Sequence, residues 1–554
     1  MGVPKFVLWL SQSPFKNCIL DNLPRNVQVD SVYIDMNGIV HKNTQRIFGY
    51  GEGKEKNLTQ NIGGEYVAST YDIAVRKIEV YRNTLDDALK ISGEFSPETL
   101  MLAIDGVPPQ AKMIQQRGRR FLSASSRPPN QVFDPNSINP GTTFMFELDT
   151  YIKNNLSTLQ SQRKLPKYTI YSNHLVPGEG EHKIADHMRK IQTRGKVAVV
   201  YGADADLIMI YLLQLNSGWK NIYLLREGRR RQFIDLRAME SIIKQLFKSF
   251  DPIDDFVTIL MLIGNDFLPH FPQFEITDAA LDSLILGYRE FITQNPESGI
   301  CTQSNIIWEN FGKYLRFISE KYGTILLKGW GENTLNRIKF PSLVAERCIT
   351  EYTKISGTET KCVREMDVNK FRDEWYKYIF APKGVPGAEA VIDQSDLLNI
   401  VKKYLEGIAW VYAYYKTGVM NCEWYYPYHY APVFSDIFYY IEHNSVNWVM
   451  EPVGTVGTYA TPLEQMLSVM PPASLYILPE PLRVFYTTYI IIYDLYPETF
   501  QVDNSGKQEE WMAVPILPMP TPIRIRWALS TLNLSPEFLD LYKPASTLYY
   551  GKQY

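Results

Sequence analysis

Cysteine is scarce in this 554-residue chain: the five, at positions 18, 301, 348, 362 and 422, include no C-x-x-C pair. That scatter argues against a zinc site and a disulfide framework, and it fits a reducing compartment. No apolar run approaches the roughly 20 residues of a membrane-spanning helix. The opening Phe6–Leu10 run is too short for a signal peptide. Cytoplasmic residence without a membrane partner is therefore the expectation. Internal repeats and low-complexity tracts are missing too. So is an excess of positive charge, because 57 Lys and Arg against 60 Asp and Glu leave a net charge of −3. Binding of a polyanion must then rest on a localised basic pocket rather than on a general field. What the chain does have is 45% apolar and 13% aromatic residues, enough for one large or two ordinary cores.

Its most informative segment is V-P-G-E-G-E-H-K-I, residues 176 to 184. Glu179 and Glu181, two apart on a glycine-rich turn, can face a common centre, and such a pair repels itself unless a cation intervenes. Glycines 178 and 180 are read as leaving room for a bulky anion. A lone E-G-E is more often a solvated turn, but this one has company. Asp35 and Asp105 each end an apolar run, and Asp204 and Asp206 follow the valine-rich run of V-A-V-V-Y-G-A-D-A-D. Asp266 sits in G-N-D-F-L-P-H. Apolar runs of this kind read as buried parallel strands, and ligand crevices lie at the carboxyl ends of such strands. Seven carboxylates converging there would require hard divalent cations, Mg²⁺ or Mn²⁺. Two ions, ~3.5–4 Å apart, could clamp both oxygens of a phosphodiester displacement and activate the nucleophile.

A second constellation runs from Lys112 to Arg127, K-M-I-Q-Q-R-G-R-R-F-L-S-A-S-S-R, with five cationic residues and no acidic one. On a helix Lys112, Gln116, Arg119 and Arg120 share one face. Two guanidiniums, an ammonium and an amide suit a phosphate group. Lying just beyond Asp105, this face belongs near the proposed metals, where a captured terminal phosphate would let an exonuclease measure off one nucleotide.

These motifs, with M-G-V-P-K-F at the start, Y-I-D-M-N-G-I-V-H, D-G-V-P-P-Q-A-K, G-I-A-W-V-Y-A-Y-Y-K-T-G (407 on), P-L-E-Q-M-L-S-V-M-P-P-A-S (462–474) and W-M-A-V-P-I-L-P (511–518), occur in an order that resembles the Xrn family of 5′→3′ exoribonucleases. The resemblance implies a processive enzyme that degrades uncapped, 5′-monophosphorylated single-stranded RNA to nucleoside 5′-monophosphates with Mg²⁺. It implies that Asp35, Asp105, Glu179, Glu181, Asp204, Asp206 and Asp266 form the acidic metal site. Lys112, Gln116, Arg119 and Arg120 would form the 5′-phosphate pocket, and His41 would stack on the terminal base against a later aromatic, for which Trp424 is the candidate. Members often carry S-W-S-W where this chain has Cys422 and Trp424, and a core aromatic is the competing reading of Trp424.

Alternating strands near 30–35, 100–105, 168–172 and 197–201 with helices between them indicate a doubly wound, mostly parallel α/β nuclease core, PIN- or flap-nuclease-like, followed by a largely helical C-terminal region. One amphipathic helix is expected over 65–91, with Val67, Tyr71, Ala74, Ile78, Tyr81, Leu85 and Leu89 toward the sheet. The expected organisation is a catalytic domain over 1–275, a mainly helical connection over 276–400, a second motif-bearing region over 401–520 that closes the active site, and a short tail over 521–554. The patch S-G-T-E-T-K and the segment P-K-G-V-P-G are read as exposed loops, and Arg229–Arg231 as a solvated turn. Ending where larger cytoplasmic members continue, the chain is expected to be a compact, monomeric catalytic core from a viral or otherwise streamlined genome. Two other readings remain open: a DNA-directed or flap-type 5′ nuclease, and an inactive RNA-binding scaffold.

Overall fold

Short valine- and leucine-rich runs bounded by turn residues become the strands of an eight-stranded sheet in the computed structural model. The structure describes all residues except 1–5, 52–69, 130, 192–194, 229, 273–277, 303–304, 324–339, 341, 357–358, 382–389, 391, 419, 447–448, 450–456, 489–490, 508–509 and 552–554. The chain forms two compact units: a sheet unit of residues 15–239, 457–498 and 519–554, and a helical unit of residues 1–14, 240–456 and 499–518.

In the sheet unit the strands are β1 (Ile19–Leu20), β2 (Ser31–Asp35), β3 (Thr99–Ala103), β4 (Tyr168–Ser172), β5 (Val197–Tyr201), β6 (Asn221–Glu227), β7 (Arg231–Asp235) and β8 (Leu548–Gly551). Their order is β1-β7-β6-β5-β2-β3-β4-β8. Strands β2 to β6 are mutually parallel, whereas β7 and β8 pair antiparallel with β6 and β4. After the short edge strand β1, the parallel part starts at the centre with β2, winds outward through β3 and β4, then crosses back to β5 on the other side of β2. That reversal opens a crevice beyond the carboxyl ends of β2 and β5.

Every residue of β2, β3 and β5 is buried, because helices cover both faces. Val32, Ile34, Leu100, Leu102 and Val199 share one core with α1 (Asn37–Phe48), α2 (Thr70–Gly93) and α4 (Thr143–Ser161). The opposite face carries α5 (Gly180–Lys190), packed over β2 and β3, and α6 (Asp206–Gln214), packed over β6. Each such buried aliphatic side chain contributes about 1.5–3 kcal/mol, so two covered faces explain why these runs are continuous rather than alternating.

Helix α2 departs from its expected pattern. Burial is concentrated from Val80 on, through Tyr81, Leu85, Ala88 and Ile91, while Tyr71 and Ile78 are 77% and 53% exposed. Only the later turns share the sheet's core. Val67 lies outside the described residues.

Helix α3 (Gln110–Ser125) packs against α7 (Pro462–Val469). The latter opens with a capping box, Thr461 and Glu464 satisfying each other's backbone N–H. Met113 joins Leu463, Met466, Leu467, Met470, Leu482, Phe485 and Tyr496 in a second core. The C-terminal stretch is integrated into the fold: β8 extends the sheet beside β4, with Leu548 opposite Tyr171 and Tyr550 opposite Thr169. Residues 230 and 231 lie in the β6–β7 hairpin, where Arg231 pairs with Glu94 at 2.5 Å; Arg229 lies outside the described residues.

The helical unit begins with Phe6–Gln12, whose Trp9 indole donates to Asp282 at 2.9 Å. Its longest helix, Gln394–Thr417, packs Trp410 and Tyr414 edge-on against Phe267. The stretch read as mainly helical also contains an antiparallel hairpin, Ile349–Ser356 with Glu359–Met366. Of the S-G-T-E-T-K patch, Ser356 ends the first strand and Glu359–Lys361 belong to the second rather than to a free loop, Thr360 favouring the extended chain; residues 357 and 358 lie outside the described residues. P-K-G-V-P-G lies outside the described residues. No disulfide joins the described cysteines, and no described helix is long and apolar enough to cross a membrane.

Candidate functional site

The carboxyl ends of β2 and β3 deliver Asp35 and Asp105 into the crevice, and Asn37 ties the two together. Its backbone N–H donates to Asp35 Oδ1 (3.2 Å) and its side-chain amide to Asp105 Oδ2 (2.6 Å), while its carbonyl oxygen accepts from the Asp105 N–H (3.0 Å). From the other side comes the start of α5. Glu179 is the N-cap, and the Gly180 N–H donates to Asp105 Oδ1 at 2.7 Å. A side chain at position 180 would place Cβ 2.8 Å from Asp35 Oδ1 and 3.3 Å from Asp105 Oδ1. The glycine is thus needed for close approach of the helix start to two carboxylates, not to make room for an anion. Gly106 is comparably constrained, because a Cβ there would lie 1.8 Å from the Val176 carbonyl oxygen.

Ligand atoms of Asp35, Asp105 and Glu181 lie within 4.8 Å of one another, and so do those of Glu179, Glu181 and His182. Glu181 belongs to both groups. Burial, then Asp105 and Asp204, pushes Asp35 well above the usual carboxylate range. Burial followed by Glu179 and Asp105 does the same to Glu181, and burial raises Asp105. Clustered buried oxygens that resist ionisation suit a hard divalent cation, whose charge would reverse those shifts. The donor set, carboxylate-rich with one imidazole, fits Mg²⁺ or Mn²⁺.

Asp204 lies in the turn after β5 and Asp206 begins α6, where it is buried. Arg226 on β6 donates to the Asp204 carbonyl at 3.0 Å, and its guanidinium feels both aspartates. Lys183 was not singled out by spacing. Its ammonium donates to the carbonyls of Ile104 (2.7 Å) and Asn173 (2.8 Å). Burial lowers it to about 7, against the opposing pull of Asp105 and Asp35.

The basic face of α3 adjoins this cluster. Lys112 and Glu179 form a buried ion pair at 2.6 Å. Gln116 accepts from Gln465 of α7 at 3.1 Å. Arg120 is buried beside Met470, its Nη1 3.6 Å from the thioether sulfur, and burial, with Arg119 next, lowers it to about 9. Arg119 is exposed. Burial, then Arg119 and Arg120, lowers His41 to about 4. Arg117, the remaining cation of the helix centre, turns away from this face. It donates to the carbonyls of Ser468 (3.1 Å) and Leu495 and lies over the Phe121 ring.

Sequence spacing alone did not find Asn37, His182, Lys183, Arg226 or Gln465. The first three sit inside the quoted motifs, D-M-N-G and E-G-E-H-K, as polar residues beside the acids; Gln465 lies in the quoted P-L-E-Q-M-L-S-V motif without any sign of its partner, and Arg226 carries no local signal.

Two of the expected site residues belong to the helical unit. Asp266 lies in a turn built by Asn265, whose side chain accepts from the N–H groups of Phe267 and Leu268, both at 2.9 Å. Gly264 (φ +89°) opens this turn, with the His270 nitrogen 2.8 Å from where a Cβ would sit. Trp424 is buried, stacked on Trp410 with ring centroids 5.2 Å apart, and its indole donates to Glu406 at 3.1 Å. Within its unit it is a packed, hydrogen-bonded core aromatic.

Residues 1–228 match a family model described as the XRN 5′-3′ exonuclease N-terminus. Residues 248–327 and 362–535 match the Xrn1 helical domain. Among similar proteins, the 5′-3′ exoribonuclease 1 of Homo sapiens is 30% identical over 97% of this chain and 34% of its own length. That of Saccharomyces cerevisiae is 26% identical over 97% of this chain and 44% of its own length. The 5′-3′ exoribonuclease 2 homolog of Drosophila melanogaster is 26% identical over 96% of this chain and 71% of its own. This chain thus spans less than half the length of the first two relatives. With both family models matched in order over most of its residues, and with the acidic crevice that the N-terminal motifs build, the chain belongs to the Xrn family of 5′→3′ exoribonucleases.

Proposed function

We propose that this protein hydrolyses single-stranded RNA from a 5′-monophosphate end, releasing nucleoside 5′-monophosphates, and that it acts as a monomer with two Mg²⁺ ions (Mn²⁺ substituting) on a PIN- or flap-nuclease-like core. The observation that carries this reading is the Lys112–Glu179 pair, 2.6 Å long and buried, which couples the basic face of α3 to the acidic crevice. A 5′-phosphate held on that face would leave the first internucleotide linkage to reach the carboxylates.

Asp35, Asp105, Glu179, Glu181, Asp204 and Asp206 are the proposed cation ligands, with Asp266 assigned to the same set from its motif. Glu181, common to both ligand groups, would contribute to holding a cation in either. Bound there, divalent cations supply Lewis-acid polarisation of the phosphodiester and activation of the attacking water. The chain's own residues do the rest. Lys112, Gln116, Arg119 and Arg120 hold the terminal phosphate. Their donors favour a compact dianion and disfavour a 5′-hydroxyl, which brings no charge for the guanidiniums to meet, or a cap, which adds bulk. His41, kept neutral by burial and by the two arginines, offers a flat ring for the terminal base. Stacking of that kind is worth about 1–3 kcal/mol per base and tolerates any sequence. A similar stacking role for Trp424 would require its ring to leave Trp410.

The test is digestion of 3′-labelled RNA bearing a 5′-monophosphate, triphosphate or hydroxyl, with Mg²⁺ and with EDTA. Mg²⁺-dependent mononucleotide release from the monophosphate RNA is the expected result. Internal cuts, preference for a DNA flap, or RNA binding without release would each reject it.

A further inference from the structure

Helix α7 carries the P-L-E-Q-M-L-S-V motif, which the proposed chemistry leaves without a task. The helix is rigidly seated. Its capping box closes the first turn, and the Arg117 guanidinium donates to the Ser468 carbonyl at 3.1 Å, fastening α3 to it. One turn earlier, Gln465 is 0% exposed and its Nε2 donates to the Gln116 carbonyl oxygen at 3.1 Å. The Gln465 carbonyl oxygen itself is buried without a hydrogen-bond partner among the described residues. Packing alone would favour an apolar side chain here, since a buried unsatisfied acceptor is destabilising. An amide at so buried a position points to work done by its N–H₂ end.

That work follows from the chemistry of Gln116. A side-chain amide offers a donor end and an acceptor end, but a phosphate only accepts. On the same face of α3, Arg119 and Arg120 are donors only, so in an empty pocket they would draw the Gln116 carbonyl toward themselves and turn the wrong end to the substrate. A donor held against that carbonyl from α7 removes the ambiguity. We propose that Gln465 is a positioning residue that holds the Gln116 amide with its N–H₂ toward the incoming 5′-phosphate, and so contributes to specificity for the monophosphate end. This rests on the phosphate-pocket reading given above.

The experiment is steady-state kinetics on matched RNAs with 5′-monophosphate and 5′-hydroxyl ends, using the full chain and the variants Gln465→Met, Gln465→Glu, Gln116→Met and the double Met variant. Gln465→Met keeps the volume and removes the donor. It is expected to lower the monophosphate-over-hydroxyl ratio of kcat/KM by roughly ten-fold, mostly through KM, the scale of one hydrogen bond to a charged group. Gln465→Glu can only accept and should lose at least as much. Because Gln465 acts through Gln116, the double variant should be no worse than Gln116→Met alone. An unchanged ratio in Gln465→Met, an equal loss on both RNA ends, or additive losses in the double variant would overturn the proposal while leaving the pocket in place. Absence of any end preference in the unsubstituted protein would overturn the pocket reading, and this one with it.

Discussion

Gly180→Ala is a sharp probe of the crevice, because it adds one methyl group where two proposed ligands meet. Gly180 is not among the glycines with positive φ, so alanine can adopt its backbone, and in a helix alanine is favoured over glycine by up to about 1 kcal/mol. The fold should therefore tolerate the change. The site should not. The new Cβ would stand 2.8 Å from Asp35 Oδ1, 3.3 Å from Asp105 Oδ1 and 3.4 Å from the Ala103 carbonyl oxygen. Restoring ordinary contact with Asp35 needs a shift of about 0.6 Å, and Asp35 is restrained by the Asn37 N–H. Since a misplacement of ~1 Å can cost about 100-fold in rate, a loss of roughly ten-fold in kcat and a raised half-saturating Mg²⁺ concentration are expected. The assay is mononucleotide release across a Mg²⁺ titration, run beside thermal unfolding. Gly178→Ala is the contrast: φ is +99° and nothing lies nearer than 3.7 Å to its Cβ, so it should lower Tm through backbone strain while leaving the Mg²⁺ dependence alone. A Gly180→Ala protein with unaltered kcat and Mg²⁺ dependence would refute the view that Asp35 and Asp105 are held in register by the approach of α5.

Glu179→Ala and Asp206→Ala should each abolish hydrolysis yet retain RNA binding, measured by filter binding in Ca²⁺ or EDTA, because every cation of α3 remains; in Glu179→Ala Lys112 loses its ion-pair partner but not its charge. Arg119→Ala should reduce discrimination between 5′-monophosphate and 5′-hydroxyl RNA by about ten-fold; intact discrimination would remove Arg119 from the pocket. In EDTA the raised Asp35 and Glu181 bind protons more readily folded than unfolded. Their stabilising contribution is thus full at acid pH and lost as pH rises through the raised values, and Mg²⁺ at about 100 times its Kd should return about 2.7 kcal/mol. A Tm insensitive to Mg²⁺ at pH 8 would contradict this. In the helical unit, Asp255 accepts from Ser249, Tyr288 and the Cys301 N–H, and burial raises it to about 6. Its ~3 kcal/mol contribution is full below the unfolded carboxylate pKa and is lost as pH climbs through about 6. Asp255→Asn should flatten that part of the stability–pH curve, followed by denaturant unfolding at pH 4 to 8.

The parallel strands and the acids that end them were legible in the chain, because burial on both faces demands unbroken apolar runs and the residue after each run falls at the sheet's carboxyl edge. Asp35 and Asp105 were read this way, Glu179 and Glu181 from their glycine-flanked turn, and the shared basic face of α3 from 3.6-residue periodicity. The same periodicity misplaced part of α2, since it reports a stripe without saying how much of it has a neighbour to cover it. The tail was opaque for a related reason: β8 is four residues long, too short for any period, and is a strand only because β4 offers an edge.

Local residue order by itself determined the central parallel strands, the acids that follow them, the basic face of α3 and the family motifs, for each depends on spacing along one short segment. Only the tertiary structure decided that Asn37 bridges two aspartates, that Arg117 fastens α3 instead of joining its basic face, and that Gln465 reaches Gln116. Those contacts join groups 68, 351 and 349 positions apart. No local pattern encodes such pairs; packing of whole elements brings their hydrogen-bonding groups together and the need to satisfy buried polar atoms selects them.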